Sequence, residues 1–159
     1  MGLPPSAVIA ASSLLGTATG LRSQMGLAVV VLATPPESLP PWLRGRAVRP
    51  VVASLALGEL VADKLPSTPN RTDPVGLIAR IAIGGLSSAV LASSTGRDGR
   101  VAAIVGAGMA AGAAYAGMAG RAALSRHLPP ILAALNEDVV AAGLAVAAVR
   151  IATLAPAAG

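Results

Sequence analysis

Three charges close an otherwise apolar stretch in Gly58-Glu59-Leu60-Val61-Ala62-Asp63-Lys64-Leu65-Pro66. On a helix, Glu59 and Asp63 stand four residues apart and share one face, while Lys64 points about 100° away from Asp63. Two carboxylates converge there, so the group can pair with arginines or hold an ion. An echo lies downstream in Gly120-Arg121-Ala122-Ala123-Leu124-Ser125-Arg126-His127-Leu128-Pro129, which repeats the order small, charged, three fillers, short polar, basic, Leu-Pro, with His127 inserted. In it Arg121 takes the place of Glu59 with the opposite sign.

What makes these charges informative is the chain that carries them. Of its 159 residues 54% are hydrophobic and 12% charged, with a mean hydropathy of +0.72, whereas soluble domains carry about 25% charged residues. The apolar content is Ala, Val, Leu and Ile; there is no Phe, one Trp and one Tyr. A water-soluble core of this size would lack its large aromatic fillers, and close packing through small residues fits a lipid-embedded helix bundle better. The composition therefore predicts a single all-α membrane domain over 1–159 with the bilayer as its solvent. Charges inside it are costly and become candidates for function.

The absence of cysteine excludes disulfides, thiolate metal sites and cysteine nucleophiles, and a single histidine, His127, makes no imidazole metal site. No nucleophile–base pair, metal-ligand cluster or phosphate-binding loop stands out, so neither an enzyme nor a bound metal or cofactor is expected. The net charge of +5 comes from arginines scattered between apolar runs, not from one basic patch, and nucleic acid is not expected as a partner. Met1-Gly2-Leu3-Pro4-Pro5 lacks a basic n-region, so the first apolar segment is expected to stay in the mature chain.

About five transmembrane segments are predicted. Residues 6–34 exceed the roughly 20 needed for one straight span and are interrupted by Gly20-Leu21-Arg22-Ser23-Gln24, which predicts a broken or hairpin first helix with Arg22 at the break. Pro35 to Pro50, with five prolines, Trp42, Arg44, Arg46 and Arg49, reads as an interfacial loop. The next segment runs from near Ala47 to Leu65, and Asp73-Pro74 marks a helix start for a third, carrying Arg80. Thr95 to Arg100 is a turn, Val101 opens the fourth, and Asn136-Glu137-Asp138 is expected to cap a fifth from Val139. In the fourth, Gly108, Gly112, Ala116 and Gly120 recur every four residues, a small-residue ridge for helix packing, within the chain or against a second copy or a larger membrane complex.

Counting the first segment as one span, six arginines fall on one side and four basic residues on the other, a bias that places the Pro-rich loop in the cytoplasm. The echo divides the rest into an internal two-helix duplication, residues 47–93 and 101–156. By the helical rise, Glu59 lies ~10 Å inside Pro66 and Arg80 ~9 Å inside Pro74, so the two can meet across a tight hairpin. A pseudo-two-fold would instead bring Glu59 against Arg121. Either way Glu59, Asp63, Arg80 and Arg121 are expected to line a polar site between the repeats, with Arg22 near its mouth, suited to an ion or small zwitterion in a transporter- or channel-like protein. The rival reading is a non-catalytic structural or assembly subunit whose charges and ridge serve helix association.

Glu59-x-x-x-Asp63-Lys64-x-Pro66, preceded by Gly20-Leu21-Arg22 and followed by Arg121 and Arg126, resembles the small bacterial membrane proteins of the domain of unknown function 4126 family. The resemblance covers most of the chain and implies a multi-pass inner-membrane location and no established activity. A histidine that the family would place slightly upstream is absent, which weakens a proton-relay reading.

Overall fold

The computed structural model describes residues 4–62 and 73–154. They form six α-helices and no strand: α1 (Pro5–Leu21), α2 (Met25–Ala33), α3 (Val48–Ala62), α4 (Pro74–Ser94), α5 (Gly99–Leu124) and α6 (Pro130–Leu154), with two short 3-10 turns, Pro36–Ser38 and Pro41–Leu43, between α2 and α3. Of these, α4, α5 and α6 are long and apolar enough to cross a membrane, not the five segments expected. The shortfall has a local cause. The first apolar run is cut into pieces of 17 and 9 residues, about 26 and 14 Å long at 1.5 Å per residue, both below the roughly 30 Å of a hydrocarbon core. The described part of α3 has 15 residues.

The cut is a reversal. Arg22 leaves helical geometry at φ −137°, ψ 107°, and α2 then turns back beside α1. A Cβ at Gly26 would run into the Thr19 hydroxyl and come within 3.4 Å of the Leu15 carbonyl oxygen, eleven residues earlier and therefore about 16 Å away had the helix continued. Glycine is required at this close approach.

Two other boundaries differ from expectation. Asp73 does precede α4, but its side chain makes no capping hydrogen bond; Pro74, at the first helical position, marks the start. Asp98 is a true cap of α5, its carboxylate accepting from the Arg100 amide at 3.0 Å. The last helix begins at Pro130 rather than at Val139, because a proline in the first turn gives up an amide that has no intrahelical partner anyway. Asn136, Glu137 and Asp138 consequently lie inside α6 and are not its cap.

α1 is the central helix, packed on α4, α5 and α6. It runs parallel to α5, since Gly16 meets Gly106 and Gly20 meets Ala110, whereas α4 passes α5 in the opposite sense, Gly84 at Gly106 and Ala89 at Gly99. Gly16, Gly84 and Gly106 share one crossing where backbones touch, and a Cβ on Gly106 would collide with the Gly84 carbonyl and the Ser88 side chain. The buried apolar side chains are mostly alanine, while Val75, Ile78, Ile104, Val139 and Leu154 point outward, each more than 60% exposed. Small inside and bulky outside is the distribution of helices that pack in lipid.

Within the described residues the ridge predicted for packing is not the one that packs. Gly108, Gly112, Ala116 and Gly120 are exposed, and Cβ atoms at the three glycines would meet nothing within 4 Å. The seam within the chain is the neighbouring face of α5, Ala102, Gly106, Ala110 and Ala113. Both rows repeat at about four residues, so spacing alone does not distinguish them. We therefore expect Gly106→Ala to lower stability by about 1–3 kcal/mol through overpacking and Gly108→Ala to leave it unchanged or slightly raised, read as thermal unfolding in detergent by circular dichroism.

Candidate functional site

The helix reversal leaves the Ser23 and Gln24 amides of the α1–α2 turn without helical acceptors, and in a bilayer they have no water to turn to. Glu59, near the end of α3, supplies the acceptors. Its Oε1 accepts from the Ser23 amide at 2.7 Å and from the Ser23 hydroxyl at 2.6 Å, and its Oε2 accepts from the Gln24 amide at 2.8 Å. A carboxylate at this place also meets the positive end of the α2 dipole. Arg80 of α4 lies beside it, Nη1 at 3.8 Å from Oε1. The choice left open by the sequence is thereby settled in favour of the hairpin partner: Glu59 pairs with Arg80, and Arg121 lies elsewhere.

A second cluster forms on the other side of the same break. Once Arg22 has left α1, its side chain, 1% exposed, reaches α6: Nη2 donates to the Ala134 carbonyl at 3.4 Å and lies 4.0 Å from Glu137 Oε2, and Nε forms an ion pair with Asp138 Oδ1. Arg121 joins from the end of α5, with Nη2 3.0 Å and Nε 3.1 Å from Glu137 Oε2. Glu137 thus bridges two arginines, one enclosed and one, Arg121, with 28% of its side chain exposed. Among the described residues two cations and two anions meet in this cluster, and one of each in that of Glu59 and Arg80. Unbalanced charge inside a membrane is costly, and removing one member takes a counter-charge from a buried partner.

The expected site residues therefore divide. Glu59 and Arg80 come together, and Arg22 and Arg121 come together around Glu137; Asp63 and Lys64 lie outside the described residues. Arg22 is the enclosed member and Arg121 the one at the opening. Glu137 and Asp138 were expected only as caps, and the signal for their real position was Pro129-Pro130, a better helix start than Asn136. The donor role of Ser23 and Gln24 was missed as well; a break in lipid demands an acceptor for each freed amide, and Glu59 was the carboxylate at hand. His127 sits in the exposed α5–α6 turn and Tyr115 is 52% exposed on α5.

A groove of about 310 Å³ opens between α5 and α6, which scarcely touch, and it contains Arg121, Asn136 and Glu137 between Leu21, Leu124 and Val140. Among the described residues no group of three or more His, Cys, Asp or Glu side chains is placed to hold a metal ion. The chemistry available here is recognition of paired opposite charges.

Because Glu59 serves as an acceptor for backbone amides and not only as an ion-pair partner, its loss should exceed that of a pair. Glu59→Ala, which strands the Ser23 and Gln24 amides and takes a carboxylate away from Arg80, is expected to cost about 3–5 kcal/mol. The charge exchange Glu59→Arg with Arg80→Glu should not restore stability, since a cation would then face the α2 N-terminus; a double-mutant cycle of unfolding free energies in detergent checks both.

No curated protein and no solved structure matches the chain. A family model described as domain of unknown function (DUF4126) matches residues 9–158, nearly its whole length and both charge clusters. The chain belongs to that family.

Proposed function

We propose that the protein is a small transporter- or channel-like membrane protein whose polar site is the cluster of Arg22, Arg121, Glu137 and Asp138 at the helix break, taking an ion or a small zwitterionic solute. The observation that carries this reading is the pairing of a buried cluster of opposite charges with an open groove that reaches it through Arg121. Broken helices whose ends meet charged side chains near a cavity are how many transporters build a binding site. A cluster of both signs admits a zwitterion without adding net charge in the membrane, whereas a bare ion must be offset by a proton or counterion. Glu59, with three hydrogen bonds to the α2 N-terminus, holds the break in shape, and Arg80 supports it.

Each proposed repeat unit carries an ion pair between its two helices, with the signs exchanged: Glu59 of α3 with Arg80 of α4, and Arg121 of α5 with Glu137 of α6. This supports the two-helix duplication over 47–93 and 101–156. If the Pro-rich loop is cytoplasmic, as the arginine bias predicts, the polar cluster lies toward the outer face of the bacterial inner membrane.

The exposed ridge of Gly108, Gly112, Ala116 and Gly120 favours a second reading, an assembly subunit or homo-oligomer joined through α5. Small side chains that meet nothing in their own chain are suited to a close helix partner.

Reconstitution in proteoliposomes separates the two. On the transport reading, Glu137→Gln and Arg121→Gln lower solute flux at least tenfold while the purified variants keep their helicity; unchanged flux in both variants sinks it. On the assembly reading, Gly112→Leu dissolves an oligomer or co-purifying complex seen by crosslinking, and flux is absent from the wild type.

A further inference from the structure

We propose that the end of the bundle formed by the Pro-rich stretch, the α4–α5 turn and the last turns of α6 is a docking surface for anionic phospholipid, with headgroup phosphates held by Arg44, Arg46 and Arg49 and the ring of Trp42 seated among the headgroups beside them. The proposal is independent of the proposed function, which uses the charges at the opposite end.

The fold gathers arginines that lie far apart in the sequence. Gly16 meets Gly106, Gly26 meets Leu15 and Thr19, and Ala152 shares a small cavity with Val8, Ala11 and Ser12. Counted on from those contacts at 1.5 Å per residue, Thr34, Arg100 and Arg150 come within ~5 Å of one level, near Ala10 of α1. Arg49 is fastened to that level, its Nη2 donating to the Thr34 carbonyl at 2.8 Å, and Arg44 and Arg46 lie on the chain between. Arg97 stands just before α5. Six arginines therefore share one end with two acids, Glu37 and Asp98.

The two ends use their arginines differently. Arg22, Arg80 and Arg121 each meet a carboxylate, whereas Arg44, Arg46, Arg49, Arg100 and Arg150 form no ion pair among the described residues. Of the two acids at this end, Asp98 is engaged in capping α5. Neutral carbonyls orient the arginines instead. Arg44 Nε donates to the Leu39 oxygen at 2.7 Å, which leaves both of its Nη groups to form a fork on a phosphate. Positive charge that is held in place without being neutralised attracts anionic lipid.

Trp42 points to lipid rather than to a water-borne acid. Leu39 and Leu43 are 1% and 5% exposed, turned into the protein, whereas Trp42 between them is 58% exposed. An indole turned outward at the level of the helix ends belongs to the headgroup layer, where lipid phosphates lie. An ethanolamine headgroup would bring its ammonium against arginines that lack counter-charge, so the surface selects a headgroup such as glycerol, which leaves the phosphate charge unopposed.

Trp42 is the single tryptophan of the chain, so its fluorescence reads this surface directly. In phosphatidylcholine bilayers containing brominated phosphatidylglycerol or brominated phosphatidylethanolamine at equal mole fraction, quenching of Trp42 should show a preference for phosphatidylglycerol of roughly fivefold or more, the effect of about one arginine at an anionic surface. Arg44→Gln combined with Arg46→Gln should abolish that preference, while Arg126→Gln, exposed at the opposite end, leaves it intact. Equal quenching by the two lipids, a preference that survives in the double variant, or one lost equally in Arg126→Gln overturns the proposal. Should the double variant fail to insert, the wild type decides through salt: the preference should fall as ionic strength rises, and a preference indifferent to salt overturns it. Inorganic phosphate serves as the second arm. If it abolishes the preference where chloride of the same ionic strength does not, the surface takes a free phosphate and the lipid proposal falls.

Discussion

One carboxylate makes this fold permissible in a bilayer. A helix that reverses inside an apolar medium exposes amides that neither water nor a preceding turn can satisfy, and Glu59 accepts from two of them and from a hydroxyl at 2.6–2.8 Å. It does so from another helix, so the bond that permits the break also ties α3 to the α1–α2 turn. Arg80 then compensates the carboxylate from α4. Four helices meet through one side chain, and the reversal aims Arg22 away from α1 toward α6. Without the break Arg22 would continue the surface of α1; with it, the guanidinium becomes the buried centre of the second cluster.

The reversal also needs thin helices. α1 is too short to span alone, yet it fills the middle of the bundle because Gly16 and Gly20 let it lie almost in contact with the backbone of α5, and Gly84 lets α4 do the same. Hydrophobic burial offers little drive between helices already dissolved in lipid, so close van der Waals contact and satisfied polar groups must hold them. That division of labour explains the composition. Glycine and alanine build the seams, arginine and carboxylate pairs tie the ends, and the bulky aliphatic residues are left to face the bilayer.

Much of this was legible in the sequence, and the failures have physical causes. The all-helical membrane character followed from composition, and the break at Arg22 from a polar triplet in a run too long for one span. Glu59 could be ranked as the costly charge by its depth. The number of long apolar helices was overestimated because the pieces left by the break at Arg22 are each too short to span and the described α3 has only 15 residues. Which row of α5 packs within the chain was not legible, because Gly108 and Gly106 lie in rows of nearly equal spacing and only the positions of Gly16 and Gly84 choose between them. Glu137 was mistaken for a cap because acids are common in first turns; Pro130 moves the start of α6 upstream and carries that acid two turns inside.

The two charge clusters have unlike surroundings, and the difference is one of saturation. Glu59 and Arg121 each stand toward the end of a helix and each meets an opposite charge on another. Around Glu59, however, the half-helix α2 occupies the space beside the pair, and the amides of the α1–α2 turn take up both carboxylate oxygens. Beside Arg121 the end of α1 brings Arg22 to the same carboxylate without covering Arg121, and the guanidinium keeps 28% exposure over a groove. An ion pair locks the helices where backbone amides saturate its carboxylate, and stays accessible where its cation borders a groove. A functional reading of the charges therefore follows the more accessible pair rather than Glu59, even though Glu59 is the carboxylate on which the architecture depends.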